Sequence, residues 1–121
     1  MDPQKARTLL VAERERLTEM LEELESSTDA QKESLQELSV YDQHQGDIGT
    51  ETFEMEKDLS IIESVQAGLR DVDEALQRVE EGTFGRCQRC GAPIADERLE
   101  AMPAARLCLE HQAEAEGAHA G

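Results

Sequence analysis

Six aliphatic residues in the second half of the chain alternate at intervals of three and four, and they constrain its fold more than any other feature. They are Ile62, Val65, Leu69, Val72, Leu76 and Val79. This spacing places all six side chains along one side of a helix, as in the seam of a coiled coil. Because such a seam is stable only when another helix covers it, we expect a partner helix.

The first forty residues supply a candidate for that partner. Asp2 followed by Pro3 is a helix-start signal, because Asp accepts from the free amides of the first turn and Pro lacks the amide that would stay unpaired. Leucines then recur at helical spacing, at Leu10, Leu17, Leu21, Leu24, Leu35 and Leu38. The stripe weakens between Ser26 and Glu33, where short polar side chains compete for backbone hydrogen bonds. We nevertheless predict one helix.

The two helical segments fit together if the chain reverses between them. The segment 41–50 contains Gly46 and Gly49 among hydrogen-bonding side chains, as a turn does, and Gly82 is placed to end the second helix. The sequence therefore predicts a mostly α protein, in which residues 1–81 form a long antiparallel coiled-coil hairpin with its tip near 41–50.

The C-terminal third carries two pairs of potential metal ligands. Cys87 and Cys90 are separated by two residues, and Cys108 and His111 repeat that gap seventeen residues after the first pair. Two matched pairs of this kind are typical of a tetrahedral zinc site, and Gly91 lets the first turn close. His119 is an alternative fourth ligand, but it lies in a tail of small residues that we expect to be flexible.

Four protein ligands fill the coordination sphere of zinc, so the predicted site is structural and leaves no position for a reacting water. Residues 82–121 contain few apolar side chains, and we expect one zinc ion to hold them together in a small zinc-finger module that ends in a helix. The sequence shows neither a nucleophile–base set nor a glycine loop that cradles phosphate. We therefore do not expect an enzyme.

Charge indicates which partners the chain can have. The formal net charge is -16, and residues 1–81 hold 22 acids against 8 bases. Binding to a phosphate backbone requires clustered Lys and Arg, so no direct sequence-specific contact with nucleic acid is expected. Charged residues interrupt the first twenty positions, which argues against a membrane or secretion segment. Three cysteines with metal-ligand spacing fit a reducing compartment. We expect a cytoplasmic protein that is a monomer.

The residues around the two ligand pairs resemble a known family. The segment GTFGRCQRCG at 82–91 and the segment RLEAMPAARLC at 98–108 are similar to the DksA/TraR family of bacterial transcription regulators. The resemblance implies a factor that binds RNA polymerase and inserts its hairpin into the secondary channel of that enzyme to modulate initiation. Two positions depart from the family pattern: His111, where many members have a fourth cysteine, and Met102, where an Arg often precedes the proline.

The resemblance also implies which residues face the polymerase active site from the tip. Well-known members carry an Asp-x-x-Asp-x-Ala tip, and the aligned positions here are His44, Asp47 and Gly49, of which Asp47 matches. Asp42, two residues before His44, is a second candidate carboxylate. Two simpler interpretations stay open: Asp47 as a cap of the second helix, and His44 as an exposed turn residue.

A function of another class also fits the sequence. A zinc-stabilised coiled coil can serve as an adaptor or dimerisation module that does not act on RNA polymerase. Whether the chain binds the polymerase is the observation that separates the two hypotheses.

Overall fold

The fold is built from four helices in the described part of the chain. The computed structural model describes the backbone of residues 1–41 and 45–120, and the side chains of residues 1–30, 33 and 54–117. The helices are α1 (Pro3–Tyr41), α2 (Gln45–Glu81), α3 (Asp96–Ala101) and α4 (Leu109–Ala120). Within these ranges the only extended pairing is an isolated antiparallel bridge between Arg86 and Pro93. The predicted mostly α fold class, with a helix at the end of the C-terminal module, is confirmed.

Helix α1 begins where the sequence indicates and continues without interruption. The Ala6 amide donates to the Asp2 carbonyl at 3.0 Å, and Pro3 is the first helical residue. The polar stretch between Ser26 and Glu33 lies inside the same 39-residue helix. The prediction of one helix is therefore confirmed, because neighbouring turns hold this stretch in the helix despite its weak stripe.

By its internal contacts the chain divides into two compact units. Unit 1 comprises Met1–Glu15 and Arg70–Gly121, and unit 2 comprises Arg16–Leu69. Each unit thus contains a length of α1 and a length of α2. This division follows contacts in space, and the boundary at residue 82 that the sequence suggests stays a prediction.

In unit 1 the two helices run antiparallel around a small aliphatic core. Arg7 on α1 pairs with Glu80 on α2 at 2.8 Å, and Arg14 pairs with Asp73 at 2.9 Å. Moving forward by seven residues on α1 thus moves back by seven on α2, which is the register of an antiparallel coiled coil. The core between them is formed by Ala6, Leu10, Val72, Ala75 and Val79. Its burial contributes more stability than the exposed ion pairs, which are worth about 0–1 kcal/mol each.

Unit 2 has a thinner seam. Leu17, Ile62 and Val65 are buried, whereas Leu21 and Leu24 are half-buried. Gly68 faces Leu17 so closely that a Cβ at this position would lie 3.3 Å from the leucine Cδ1. The close approach is possible because glycine has no side chain.

The predicted seam on α2 is partly wrong. Ile62, Val65, Val72 and Val79 are buried, but Leu69 and Leu76 are half-buried. Ala75 is fully buried in their neighbourhood along the helix. Val65, Val72 and Val79 keep their spacing of seven residues in the core, and the small Gly68 and Ala75 occupy the positions between them. Leu69 and Leu76, one residue further along, therefore lie at the edge of the seam.

Helix α2 ends at a glycine cap, as predicted. Gly82 has a φ of 79°, which favours glycine. Its amide donates to the Val79 carbonyl at 3.3 Å, and the Thr83 amide donates to the Arg78 carbonyl at 2.9 Å. These two bonds form a Schellman motif, which satisfies carbonyls at the end of the helix.

Part of the predicted tip segment 41–50 lies on the two long helices. Helix α1 ends at Tyr41 and α2 begins at Gln45, so Gly46, Asp47 and Gly49 lie on helical backbone. The tip candidates Asp42 and His44 lie outside the described residues. In the part of the chain that is described, no helix has an apolar stretch long enough to span a bilayer.

We predict that Leu10→Ala lowers the free energy of unfolding by about 2–5 kcal/mol, because Leu10 is fully buried and its truncation leaves a cavity. The measurement is urea unfolding followed by far-UV circular dichroism. Val11→Ala is the matched control, since Val11 is 42% exposed on the next position of the same helix. Equal losses at both sites would place the core of unit 1 elsewhere.

Candidate metal centre

The first ligand pair lies on a tight turn that its own backbone closes. The Gly91 amide donates to the Cys87 carbonyl, and the Cys87 amide donates to the Ala92 carbonyl, both at 2.8 Å. Gly91 has a φ of 74°, a conformation that other residues adopt at a cost. The glycine therefore allows the chain to fold back immediately after Cys90, as the sequence predicts.

The second ligand pair belongs to the start of α4. Cys108 immediately precedes this helix and His111 is its third residue. The Gln112 amide donates to the Cys108 carbonyl at 2.8 Å, which forms the first turn. Residues three apart at the start of a helix lie on the same side, so the thiol and the imidazole point in the same direction.

Backbone contacts and a few apolar side chains bring the two pairs together. The Gln88 amide, between the first two cysteines, donates to the Arg106 carbonyl at 2.9 Å. The Ile94 amide donates to the Gly85 carbonyl at 2.8 Å. The side chains of Ile94 and Leu99 are buried in this segment, with exposed fractions of 4% and 1%. This core is small for a segment of more than thirty residues.

The four predicted ligands converge on one point. Their ligand atoms all lie within 4.8 Å of one another. His111 Nδ1 lies 3.4 Å from Cys87 Sγ and 3.3 Å from Cys108 Sγ. A tetrahedral zinc ion with bonds of about 2.3 Å to sulfur and about 2.0 Å to nitrogen separates such atoms by roughly 3.5 Å. The geometry fits a site for one zinc ion, and the predicted cofactor is confirmed.

The environment of the thiols favours metal binding at Cys87. Burial raises the pKa of the Cys87 thiol, but backbone amides of Cys108, Cys90 and Arg89 and the His111 ring together lower it more, to about 5. For Cys90 the contact with the Ala92 amide lowers the pKa, while desolvation and the neighbouring thiols raise it, and the net pKa is raised. Zinc binds the thiolate form, so the lowered pKa of Cys87 favours coordination of the ion by this residue.

The donor set determines what the site can do. Three thiolates and one imidazole complete a tetrahedron, which leaves no open position for a water or a substrate. The role of the ion is to hold the two halves of the module together. His119, the alternative fourth ligand, lies outside the residues whose side chains are described, and His111 occupies the fourth position.

One contact that connects the module to α2 within unit 1 could not be read from the sequence. The Arg106 guanidinium pairs with Asp71 and with Glu74, each at 3.2 Å, while its carbonyl accepts the Gln88 amide. A second link, at 2.6 Å, joins Lys5 on α1 to Glu100 on α3. Both ion pairs join residues that are far apart in the chain, so no local sequence motif predicts them.

Comparisons with known proteins agree with the site. Residues 82–117 match the family model of the prokaryotic dksA/traR C4-type zinc finger. The general stress protein 16O of Bacillus subtilis is 37% identical over 105 residues, which are 84% of this chain and 64% of that protein. The protein YteA of the same organism is 42% identical over 78 residues, 64% of this chain and 33% of that protein. The chain thus spans about a third of YteA and just under two thirds of the stress protein.

Two further relatives carry informative names. The RNA polymerase-binding transcription factor DksA of Caulobacter vibrioides is 49% identical over 41 residues, 34% of this chain and 29% of that protein. The solved structure of transcription factor DksA2 from Pseudomonas aeruginosa is similar with a TM-score of 0.54 and 26% identity, covering 94% of this chain and 88% of the other. The resemblance found in the sequence is confirmed by these findings.

We predict one zinc ion per chain after chelator-free purification, and its loss in Cys90→Ala. Because three ligands hold the ion less tightly and the module has a small core, residues 82–117 should become sensitive to protease while α1 and α2 stay helical. Metal analysis and limited proteolysis measure both effects. Gln88→Ala is the control, since this exposed side chain lies in the same turn without binding the ion. Unchanged protease resistance in Cys90→Ala would count against a structural ion.

His111→Cys should retain one zinc ion per chain, because four thiolates at this spacing form an equally complete tetrahedral set. His111→Ala should lose the ion. Metal content and thermal unfolding of the two variants provide the comparison, and equal zinc retention by the alanine variant would show that the fourth ligand lies elsewhere.

Proposed function

We propose that the chain is a transcription regulator that binds RNA polymerase directly, because residues 82–117 match the model of the prokaryotic dksA/traR C4-type zinc finger. The observation that carries this proposal is that the likeness extends beyond the finger. The similarity to the DksA2 structure covers 94% of this chain, so the long helices are part of it. On this proposal the protein is not an enzyme.

The distribution of charge supports a protein surface as the partner. Unit 2 holds 14 acidic residues against 3 basic ones. A duplex would repel a surface of this sign, whereas a cationic protein channel attracts it and accelerates encounter. We propose that the acidic length of α1 and α2 enters the secondary channel of the polymerase and that the tip modulates initiation there.

Asp47 is the first candidate for the residue that acts at the tip. It is the third residue of α2, and an acidic residue in the first turn of a helix also stabilises that helix. A test of Asp47 must therefore measure its effect on transcription separately from its effect on helix stability. Asp42 and His44 are proposed as further tip residues that face the polymerase active site.

The first test is direct binding of the zinc-loaded chain to RNA polymerase from its own cells, by capture from native extract and then with the purified enzyme. We expect a stoichiometric complex that salt weakens, because charge contributes to the association. A chain that folds and binds zinc but does not bind the polymerase would support the adaptor hypothesis.

The second test is Asp47→Asn in an in vitro transcription assay. The substitution keeps the size of the side chain and removes its charge. We therefore expect polymerase binding to persist while the change in initiation rate caused by the protein falls at least roughly tenfold, which corresponds to a free-energy difference of about 1.4 kcal/mol. Asp29→Asn is the matched control, the same change at an exposed acid of unit 2. If both variants regulate like the unaltered chain, Asp47 leaves the functional set and Asp42 is the next acid to test.

A further inference from the structure

A buried hydroxyl interrupts the apolar seam of unit 2. Thr28 on α1 is 3% exposed, and among the described residues its Oγ1 has no hydrogen-bond partner. It follows Leu21 by seven residues, so it occupies a seam position on the helix. Thr28 is therefore a core residue with a polar group that the core does not satisfy.

Such a group lowers the stability of the pairing around it. A buried hydroxyl without a partner loses its bonds to water and gains none in return. Valine has the same branched shape and a similar helix propensity, so it would fill the position without this loss. The helix pairing at Thr28 is thus less stable than it would be with valine, a residue of the same shape, at this position.

The side chains of unit 2 that the structure describes, at residues 16–30, 33 and 54–69, do not compensate for this weakness. Among the side chains that the structure describes, the largest fully buried ones are Leu10, Leu99 and Val72, and all three belong to unit 1. In unit 2 the flanking Leu24 is half-buried and Leu59 is 38% exposed. The excess of acids in unit 2 also places like charges on both helices, and their repulsion opposes close pairing.

We propose that Thr28 is a built-in weak point that lets α1 and α2 separate locally in unit 2 while their pairing in unit 1 stays closed. Opening exposes the Thr28 hydroxyl to water and moves the carboxylates of the two helices apart. It therefore removes both the cost of the unsatisfied hydroxyl and the repulsion between like charges. Screening or neutralisation of those carboxylates closes the pairing again. This device belongs to the free chain and does not depend on which partner the chain binds.

The test is native-state amide hydrogen exchange on the zinc-loaded full chain. Thr28→Val should slow exchange in residues 17–30 and 54–69 by roughly tenfold or more, since exchange follows the population of the open state and the valine removes the unsatisfied group. Residues 3–15 and 70–81 should change little. Added sodium chloride should slow exchange in the same two segments of the unaltered chain.

Two control variants identify the hydroxyl as the cause. Thr8→Val makes the same change on α1 in unit 1, where the exposed Thr8 hydroxyl donates to the Gln4 carbonyl at 3.0 Å, and it should not slow exchange in unit 2. Thr28→Ser keeps the hydroxyl and should not slow exchange either. Thr28→Val without effect, serine as effective as valine, or equal slowing in both units would each overturn the proposal.

Discussion

The coordination of one zinc ion by Cys87, Cys90, Cys108 and His111 is the interaction on which the C-terminal part of the structure depends. Ile94 and Leu99 are the main aliphatic side chains buried in that segment, and burial of so few groups cannot offset the entropy of ordering more than thirty residues. A structural zinc site contributes an apparent ~10–16 kcal/mol, several times what the burial of two aliphatic side chains contributes. Once the ion fixes both ligand pairs, the Arg106 carbonyl holds the Gln88 amide within the module, and the Arg106 guanidinium connects the module to Asp71 and Glu74 on α2.

The two units of the chain use charge in opposite ways. In unit 1 opposite charges meet across the helices, as in Arg7–Glu80 and Arg14–Asp73. In unit 2 acids outnumber bases 14 to 3, so repulsion works against pairing and a cationic partner would relieve it. The proposed binding to a basic partner and the proposed local opening of the helix pair would therefore have the same physical origin.

Sequence predicted most of the fold and the whole metal site, because both depend on local spacing. Two ligand pairs with matched gaps identify a zinc site without knowledge of the chain around them. The seam on α2 was predicted less well, because the sequence pattern favours the large Leu76, whereas the packed helices bury its small neighbour Ala75 and leave Leu76 half-buried. The burial of Thr28 was not predicted, because a polar residue interrupts the apolar pattern even though its position on the helix places it in the seam. The ion pairs of Arg106 depend on distant residues and were beyond any local pattern.

The position of the second ligand pair has a consequence for α4 itself. Its twelve residues are too few to form a stable helix alone, because fixing the first turn costs more than one hydrogen bond returns. Cys108 immediately precedes that first turn and His111 lies on it, so the ion that holds both also holds the backbone from which the rest of the helix extends. Zinc thus acts as the nucleus of α4, and the helicity of the C-terminal end of the protein depends on metal occupancy.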